Sequence, residues 1–349
     1  MHRRALLYAL PLLGLPAAHA LAPRRLQFPR DHGAHPDLRT EWWYITGTAA
    51  GEGREFGFQL TFFRSRVDAT QDMSSKFAAR QLVFAHAAVT DVQGRRLLHD
   101  QRIARQGFGV AQAEPGDTRV RLRDWQLERQ ADGVYLAQLP TQEFALDLRF
   151  SPTQPPLLQG AQGLSRKGPD PKQASYYYSI PQLAAAGSIR LQGRRFEVQG
   201  KAWLDHEWSE ALMHPEAVGW DWIGMNLDDG SALTAFQLRR KDGTALWDGG
   251  SFRAASGSTY IASRGETRFK AQRRWTSPLS GATYPVEWMV QTPADFYTVR
   301  AVIDAQELDS RQSTGSVYWE GLSDLLDSNG RRVGRGYLEM TGYAQRLRL

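Results

Sequence analysis

The stretch DHGAHPDLRTEWW, residues 31–43, has a longer counterpart late in the chain, DHEWSEALMHPEAVGWDW at residues 205–222. Both copies contain Asp-His, then His-Pro followed by an acid, and then a tryptophan eight residues after the second histidine. The similarity continues beyond them, since Trp43 precedes FQLTFF at 58–63 and Trp222 precedes FQLR at 236–239 with the same spacing to within one residue. A motif that repeats together with its surroundings indicates a duplicated structural unit.

Both halves of the chain carry the sequence pattern of β-strands. In EFALDLRF, residues 143–150, apolar side chains stand at every second position, which places them on one face of a strand. Residues 188–203 fit a hairpin with Gly193 near its turn. Helical periodicity is nearly absent, and residues 180–186 fit the one short helix that we predict. Residues 151–175 hold five prolines and three glycines and predict a long loop folded over a cavity. The pattern predicts an all-β, antiparallel fold of barrels or sandwiches.

Composition narrows the class of protein. A chain of 349 residues is too long for one ordinary core, and 42% hydrophobic and 11% aromatic residues are typical of folded domains. The chain has no cysteine, which excludes disulfides, thiol chemistry and a lipid anchor on cysteine. The net charge of +6 is scattered along the sequence. Because no basic cluster is interleaved with aromatic residues, we expect no nucleic-acid binding.

The first 20 residues, MHRRALLYALPLLGLPAAHA, have a basic start, a short apolar stretch and a small-x-small ending. This pattern is typical of a secretory signal peptide cut after Ala20. We therefore expect a periplasmic or secreted protein, and we expect it to be a monomer. The predicted organisation is a signal peptide at 1–20, an N-terminal domain at 21–204 and a C-terminal domain at 205–349.

Six segments together resemble a known family: EWWYITG (41–47), SYYYSIP (175–181), GKAWLDHEWS (200–209), GWDWIGMNLDDG (219–230), YWEG (318–321) and GYLEMTGY (336–343). In this order they resemble the lipocalin-like family that contains carotenoid hydratases (hydroxyneurosporene synthases), AttH-like proteins and predicted secreted hydrolases. The resemblance implies two tandem lipocalin-like β-barrels over nearly the whole mature chain. It also implies a range of activities, from the addition of water to a terminal isoprenoid double bond without a cofactor to the carriage of lipids.

The densest group of candidate site residues is Asp205-His206-Glu207-Trp208. Because side chains alternate along a strand, the two acids should face one side and His206 and Trp208 the other. A carboxylic acid in an aromatic-lined barrel has a raised pKa and could protonate an alkene, after which a held water could add to the carbocation. The candidate catalytic residues are Asp205, His206, Glu207, Asp221 and Glu41, and the candidate ligand-binding residues are Trp208, Tyr177, Trp220 and Tyr44.

The repeated motif also has a structural interpretation. Trp43 and Trp222 stand where a lipocalin-like tryptophan plugs the base of a barrel, and the two His-Pro pairs fit turns that lead into a first strand. What the copies share is therefore assigned to structure, and chemistry is expected in what they do not share. Asp205, His206 and Glu207 stay open between the two interpretations, because only the second copy adds Glu-Trp and a five-residue insertion.

Other chemistries have less support in the sequence. Histidines 32, 35, 206 and 214 could meet at a metal, but no spacing matches a zinc motif, and no serine stands in G-x-S-x-G. We expect neither a metal nor a cofactor. Glu320 in YWEG and Glu339 in YLEMTGY are predicted to form salt bridges with barrel arginines, with the lining of a cavity as the alternative.

Two hypotheses on function remain. The first is a protein that binds an elongated hydrophobic ligand, an isoprenoid or a lipid, with acid-assisted hydratase or hydrolase activity. The second is a non-enzymatic carrier or chaperone that hands lipid or lipoprotein to an envelope protein partner. A carboxyl group that faces an apolar cavity beside space for water would favour the enzyme, whereas a dry cavity without acids would favour the carrier.

Overall fold

Strands make up nearly all of the regular structure. The computed structural model describes residues 20–347, so the predicted signal peptide lies outside the described residues except for Ala20. The helices of this part of the chain are two short 3-10 turns, Arg30–His32 and Asp68–Thr70. The strands are β1 (Thr40–Gly51), β2 (Arg54–Arg66), β3 (Gln81–Asp91), β4 (Arg96–Arg105), β5 (Ala111–Ala113), β6 (Arg119–Leu122), β7 (Trp125–Arg129), β8 (Tyr135–Pro140), β9 (Phe144–Ser151), β10 (Leu157–Leu158), β11 (Leu164–Arg166), β12 (Ala174–Leu191), β13 (Arg194–Ala211), β14 (Gly219–Leu227), β15 (Ala232–Arg239), β16 (Ala245–Arg253), β17 (Thr259–Ala262), β18 (Arg268–Ala271), β19 (Arg274–Thr276), β20 (Thr283–Pro285), β21 (Glu287–Gln291), β22 (Phe296–Ala301), β23 (Glu307–Ser310), β24 (Ser316–Leu326) and β25 (Arg332–Met340).

The two main sheets have the same topology. The strand order is β4-β3-β2-β1-β13-β12-β9-β8-β7-β6-β5 in the first sheet and β17-β16-β15-β14-β25-β24-β22-β21-β18 in the second. In each sheet the first strand pairs with the last, β1 with β13 and β14 with β25, and these pairs are antiparallel. At the open edge of the first sheet, β3 and β4 approach β5 and β6, so that this sheet nearly closes. The predicted all-β fold of two tandem lipocalin-like barrels is confirmed.

Each barrel has its own apolar core, which follows from the alternation of side chains along the strands. Trp43 and Trp125 are fully buried in the first barrel, and Trp288 and Trp319 lie in the core of the second. Burial of a large apolar side chain contributes about 1.5–3 kcal/mol relative to exposure. Because these residues fill the barrel interiors, a ligand site is expected between the barrels and not inside them.

Trp43 and Trp222, which the sequence matches to each other, face opposite sides of their strands. Trp43 lies inside the first barrel, whereas Trp222 lies on the outer face of the second barrel, against Trp203 of the first. The structural counterparts are Glu41 and Asp221, since both point inward and form a salt bridge with an arginine of the next strand. The sequence match of Trp43 with Trp222 and the structural match of Glu41 with Asp221 differ by one residue of alignment. Because side chains alternate along a strand, this difference moves every side chain to the other face. The prediction that Trp222 plugs the base of its barrel is therefore wrong.

The barrels pack with their outer faces together, and β1, β2, β12 and β13 meet β14, β24 and β25. Gly57 marks a point of close approach, because a Cβ atom there would lie 2.7 Å from the hydroxyl of Tyr337 and 2.9 Å from Cβ of Leu322. Hydrogen bonds also cross the interface, including one of 2.8 Å from the Thr90 hydroxyl to Gln306. The interface is thus both closely packed and polar, and it holds the two barrels in a defined arrangement.

Strand β13 crosses the domain border that the sequence predicts between residues 204 and 205. Its last residues still pair with β1, for example Ser209 with Thr40, so they belong to the first sheet. The chain passes from the first sheet to the second between Ala211 and Gly219. Asp205 and His206 therefore close the first barrel and do not lead into the second.

Two local predictions have different outcomes. The hairpin at 188–203 is confirmed, because β12 pairs with β13 on either side of Gly193. The helix at 180–186 is wrong, since these residues belong to β12 and contain an irregularity between Ile180 and Leu183. Gln182 sits there with φ of 56° and donates from its amide to carbonyl oxygens of the second barrel. Pairing with two neighbouring strands outweighs the local preference for a helix.

The long loop at 151–175 contains the short strands β10 and β11, which pair with β12. Gln154 and Pro155 contact Arg253 of the second barrel, so the loop bridges the two barrels. Within residues 20–347 we find no helix with the length and apolar character needed to cross a membrane.

Candidate functional site

The outer faces of the two barrels separate at one end and leave a cavity of about 440 Å³, here called the interbarrel cavity. Strands β1, β2, β3 and β13 form one wall, and β14, β15, β24 and β25 form the other. The aromatic residues of the lining are Trp42, Tyr44, Phe63, Phe84, Tyr177, Trp220, Trp222, Phe236 and Tyr318, and the acids that reach it are Asp205, Glu207, Glu210, Glu320 and Glu339. An aromatic cavity of this size suits a small organic ligand.

Asp205 lies at the wall that the first barrel contributes. Its Oδ2 accepts a hydrogen bond of 2.7 Å from the Tyr177 hydroxyl, and its Oδ1 accepts from the Ser179 hydroxyl at 2.5 Å and the Trp203 indole at 2.7 Å. Burial raises the pKa of Asp205 to about 7, although these three donors act in the opposite direction. A carboxyl group with a pKa near neutrality can both give and accept a proton in a reaction.

Glu207 faces the same cavity but has a cationic partner. Nζ of Lys167 lies 3.0 Å from its Oε1, and the Ser175 hydroxyl donates a short hydrogen bond to the same oxygen. The Lys167 ammonium also lies 4.7 Å from the ring centre of Tyr177 and 4.2 Å from that of Phe236. The long loop, which carries Lys167, thus supplies one side of the cavity, and the charge of Glu207 is balanced.

Glu320 and Glu339 form the acidic centre of the opposite wall. They are direct cross-strand partners on β24 and β25, and across residues 20–347 neither forms a salt bridge. Burial raises the pKa of Glu320 well above its ordinary value, and the charge of Glu339 adds to this. Burial and the nearby charges of Asp205 and Glu207 raise the pKa of Glu339 to about 7, although the Trp220 indole donates to it at 2.9 Å. Glu320 is buried and Glu339 is partly buried. Two such carboxyl groups, paired directly across neighbouring strands, retain at least one proton at neutral pH.

The predicted alternation at 205–208 is confirmed. Asp205 and Glu207 line the interbarrel cavity, whereas His206 and Trp208 point into the first barrel. His206 donates from Nε2 to Glu41 Oε1 over 2.9 Å, and its ring stacks on that of Trp43 with 4.7 Å between the ring centres. The candidate catalytic residue His206 and the candidate ligand-binding residue Trp208 therefore do not reach the cavity.

Glu41 is the centre of a polar network inside the first barrel. It accepts hydrogen bonds from Arg64 Nε at 2.8 Å, from the His35 ring at 2.7 Å and from the His35 backbone at 2.9 Å. Burial opposes its charge, but hydrogen bonds from His206 and His35 outweigh burial and hold the pKa of Glu41 well below its ordinary value. Glu41 is therefore ionised and satisfied, and it lies outside the interbarrel cavity.

The same network contains one group of potential metal ligands. Ligand atoms of His35, Glu41 and His206 lie within 4.8 Å of one another. The Arg64 guanidinium, however, occupies one oxygen of Glu41, and both histidines already bond to the other. A divalent cation would have to displace these contacts and stand beside a fixed positive charge, so the donor set suits a hydrogen-bonded network better than a metal.

Asp221 occupies the corresponding place in the second barrel. Its Oδ2 accepts from Arg239 at 2.8 Å and from Gln237 at 2.7 Å, and its Oδ1 accepts from the Tyr343 hydroxyl at 2.9 Å. Burial raises the pKa of Asp221, and the charge of Arg239 acts against this. Of the nine candidates from the sequence, Asp205, Glu207, Tyr177, Trp220 and Tyr44 line the interbarrel cavity, and Glu41, His206, Trp208 and Asp221 do not.

The sequence does not identify Glu320 and Glu339 as site residues. The predicted salt bridges with barrel arginines are wrong, and the alternative, that both glutamates line a cavity, is correct. A signal was present in the alternation: Trp319 and Leu338 face the core, so the glutamates next to them face outward. Leu322 and Tyr337 on the same outward faces are apolar and could have indicated that these faces are covered.

Comparison with known proteins identifies the family. The AttH-like family matches residues 19–343. The crystal structure of a protein described as AttH, from Nitrosomonas europaea, is 45% identical, with a TM-score of 0.87 over 93% of this chain and 99% of that one. No curated protein matches the chain.

Two more distant structures share the fold. Kievitone hydratase from Nectria haematococca is 12% identical, with a TM-score of 0.71 over 92% of this chain and 94% of that one. CghA, solved with Sch210972, is 12% identical, with a TM-score of 0.53 over 87% of this chain and 88% of that one. On the family match over most of its length, this chain belongs to the AttH-like family.

Proposed function

We propose that the interbarrel cavity binds an elongated, uncharged hydrophobic molecule, of isoprenoid or lipid type, and adds water to one of its carbon–carbon double bonds by acid catalysis. The proposal requires no cofactor. The aromatic lining supports the hydrophobic part of the ligand, and a volume of about 440 Å³ admits a molecule of this class. The fold shared with kievitone hydratase agrees with a hydratase, although the argument rests on the cavity.

The observation that carries the proposal is the pair formed by Glu320 and Glu339. Glu320 is buried at the cavity wall, Glu339 lies opposite it on the neighbouring strand and is partly buried, and no salt bridge within the described chain involves either. A buried acid without a counter-charge keeps its proton at neutral pH. The pair therefore supplies the proton donor that the addition of water to an alkene needs.

The chemical step needs only groups that line the cavity. The protonated acid gives its proton to one carbon of the double bond, and the neighbouring carbon becomes electron-deficient. The faces of Trp42, Trp220 and Trp222 stand in the lining and can stabilise that positive charge. Water then bonds to this carbon and loses a proton to the carboxylate, which restores the acid. The net change is one water added across one double bond.

A carrier without catalytic activity has less support from these residues. To bury a polar group without a partner costs about 1–3 kcal/mol, and a carrier gains nothing that offsets this cost. Several acids at an otherwise aromatic wall would also weaken the binding of a hydrocarbon. The carrier is therefore the hypothesis that a failed turnover experiment would favour.

Two probes in heavy-oxygen water test the proposed function. The purified protein is incubated with farnesol, an isoprenoid alkene, and with trans-chalcone, an unsaturated ketone, and the products are analysed by mass spectrometry. We expect at least one probe to gain one labelled water, and we expect Glu320→Gln and Asp205→Asn to slow this reaction. Glu266, which is partly exposed on the second barrel and outside the interbarrel cavity, provides the control variant Glu266→Gln, which should react like the wild type. If the folded protein labels neither probe, or if both cavity variants react at the wild-type rate, the proposal is wrong.

A further inference from the structure

Two polar atoms at the wall of the interbarrel cavity lack a hydrogen-bond partner in the described part of the chain: the Tyr44 hydroxyl and Oε1 of Glu320. Tyr44 is 6% exposed and Glu320 is 2% exposed. Buried polar atoms of folded proteins almost always have a partner, because desolvation without one is costly. Two such atoms in one cavity indicate a place for a polar ligand atom.

The two atoms come from different barrels and lie near each other. Tyr44 belongs to β1 and Glu320 to β24, and the side chains are close enough for each to shift the pKa of the other. The contact between them does not have the distance and angles of a regular hydrogen bond, and neither atom forms such a bond with another group of the described structure. A ligand atom bound to both would therefore be held where the two barrels meet.

Other tyrosine hydroxyls of the cavity are already engaged. The Tyr177 hydroxyl donates to Asp205 at 2.7 Å, and the Tyr318 hydroxyl lies 2.8 Å from Nδ1 of His86. Burial lowers the pKa of His86 to about 3, so this histidine is neutral and forms a neutral hydrogen bond with Tyr318. Tyr44 differs from both tyrosines because its hydroxyl forms no regular hydrogen bond within the described chain.

We propose that Tyr44 and Glu320 together bind the carbonyl oxygen of an α,β-unsaturated ketone or aldehyde, so that the substrate is an enone and not a plain polyene. The inference rests on the proposed function and deepens it, because it names the substrate class of the same site.

Both groups act as donors at neutral pH. Burial raises the pKa of Tyr44 well above its ordinary value, and the nearby carboxyl groups raise it further. Glu320, also buried, keeps its proton for the reasons given above. Two donors that converge select an acceptor oxygen. A tyrosine hydroxyl beside a protonated carboxylic acid is an arrangement that stabilises negative charge on a carbonyl oxygen.

The charges of the cavity favour a neutral acceptor over a carboxylate. Asp205, Glu207 and Glu339 reach the same space, and the ammonium group of Lys167 is already paired with Glu207. An anionic ligand would therefore meet acidic groups and find its nearest cation engaged. A neutral carbonyl oxygen accepts both hydrogen bonds without this repulsion.

For an enone, conjugate addition through an enolate replaces the protonation of the double bond described above, and it also balances with one water. Water bonds to the carbon β to the carbonyl while the Asp205 carboxylate takes one of its protons. The electron pair of the double bond moves to the carbonyl oxygen, which Tyr44 and Glu320 stabilise as an enolate. The carboxylic acid then returns the proton to the α carbon, and the carbonyl is restored. Asp205 has a pKa of about 7, which suits a group that first accepts and then donates a proton.

The test compares trans-chalcone with its methylene analogue, in which a CH2 group replaces the carbonyl. Equilibrium binding to the wild-type protein is measured for both, and the stretching frequency of an isotope-labelled chalcone carbonyl is measured by difference infrared spectroscopy. We expect chalcone to bind at least about tenfold more tightly than its analogue, as two hydrogen bonds to buried groups predict, and its carbonyl frequency to fall on binding.

The variants separate this role from general packing. Tyr44→Phe should weaken chalcone binding about tenfold, leave the methylene analogue unchanged and reduce the infrared shift. Tyr284→Phe is the matched control, because it removes a buried tyrosine hydroxyl that bonds to Glu307 in the core of the second barrel, outside the cavity. It should change neither ligand's affinity.

The outcomes distinguish this inference from the proposed function. If chalcone and its analogue bind equally, or if Tyr44→Phe weakens both to the same extent, the carbonyl site is wrong. If farnesol gains labelled water while chalcone binds without an infrared shift, the hydratase stands and the enone assignment fails. If chalcone shows the shift and its loss in Tyr44→Phe but neither probe is hydrated, the carbonyl site stands and the proposed function fails.

Discussion

Glu41 and Glu320 are both buried carboxyl groups on β-strands, yet one is surrounded by cationic and hydrogen-bonding partners and the other is not. Glu41, inside the first barrel, accepts hydrogen bonds from Arg64, His35 and His206 and stays ionised. Glu320, at the wall of the interbarrel cavity, has no cationic partner in the described structure, and one of its oxygens has no partner at all. The difference shows that partners, and not burial alone, decide whether a buried acid is ionised or keeps its proton.

The largest expected effect comes from removal of the partner of Glu41. In Arg64→Met the carboxylate stays buried without its guanidinium, and we expect the free energy of unfolding to fall by about 3–5 kcal/mol. Urea denaturation followed by tryptophan fluorescence measures the change. Arg66→Met, two residues along the same strand, removes an arginine whose salt bridges to Asp68 and Glu210 are partly exposed, and it should cost about 1 kcal/mol or less. Equal losses of unfolding free energy in the two variants would contradict the conclusion that Glu41 depends on its buried arginine partner.

The next effect concerns turnover. Glu320→Gln keeps the size of the side chain but removes the acidic proton, so the hydration rate of whichever probe reacts should fall about a hundredfold. The wild-type rate should also fall as pH rises above about 7, because Glu339, with a pKa of about 7, then loses its proton and can no longer serve as an acid. Steady-state assays across a range of pH measure both effects. A rate that rises with pH above 7 would contradict the assignment of an acid.

The polar network around Glu41 should also make stability depend on pH. Burial opposes the charge of His35, but hydrogen bonds to Asp31 and Glu41 outweigh it and raise the pKa of His35 above the ordinary histidine value of 6.5. A raised pKa contributes stability that is fully present below 6.5 and is lost as pH rises through the folded-state pKa. The difference in the free energy of unfolding between wild type and His35→Gln should therefore shrink as pH rises above 6.5. A difference that stays constant from pH 6 to 9 would show that His35 acts through packing alone.

The smallest expected effect has the opposite sign. Tyr44→Phe removes a buried hydroxyl that lacks a partner, so it should leave the free energy of unfolding unchanged or raise it by about 1 kcal/mol. Tyr284→Phe breaks an existing hydrogen bond of 2.7 Å to Glu307 and should lower it by a similar amount. Thermal and urea denaturation of the two variants give the comparison. A loss of stability in Tyr44→Phe would mean that its hydroxyl has a partner in the free protein.

Alternation along single strands was the most informative part of the sequence. It predicts the all-β fold and the opposite orientation of Asp205 and His206, because both follow from the period of the strand and need no distant contact. It does not tell which face of β13 meets the barrel interior and which meets the second barrel. That choice depends on how the two sheets pack. For this reason the sequence alone places Glu41 and His206 in the same group of candidate catalytic residues as Asp205.

The incorrect predictions for Trp222, Glu320 and Glu339 have the same physical origin, namely that one strand does not determine what each of its faces packs against. Trp43 and Trp222 match in sequence, but a one-residue difference between the two halves places them on opposite faces. Glu320 and Glu339 lie on outward faces, which in an isolated barrel would meet water and arginines. These outward faces of the second sheet become the wall of a cavity only because the first sheet packs against them. The sequence pattern of a single strand does not indicate that packing partner.

Strand β13 has a consequence for how this protein tolerates sequence change. Its successive residues alternate between the first barrel, with His206 and Trp208, and the interbarrel cavity, with Asp205 and Glu207. Deletion or insertion of one residue ahead of Asp205 would exchange the two sets, so that carboxyl groups enter the core and the histidine and tryptophan enter the cavity. Substitutions can alter one set at a time, but length changes in this strand must disturb both the core of the first barrel and the lining of the interbarrel cavity. Natural variation in length is therefore expected in the segment between β13 and β14, where the chain leaves the first sheet, and not within the strand.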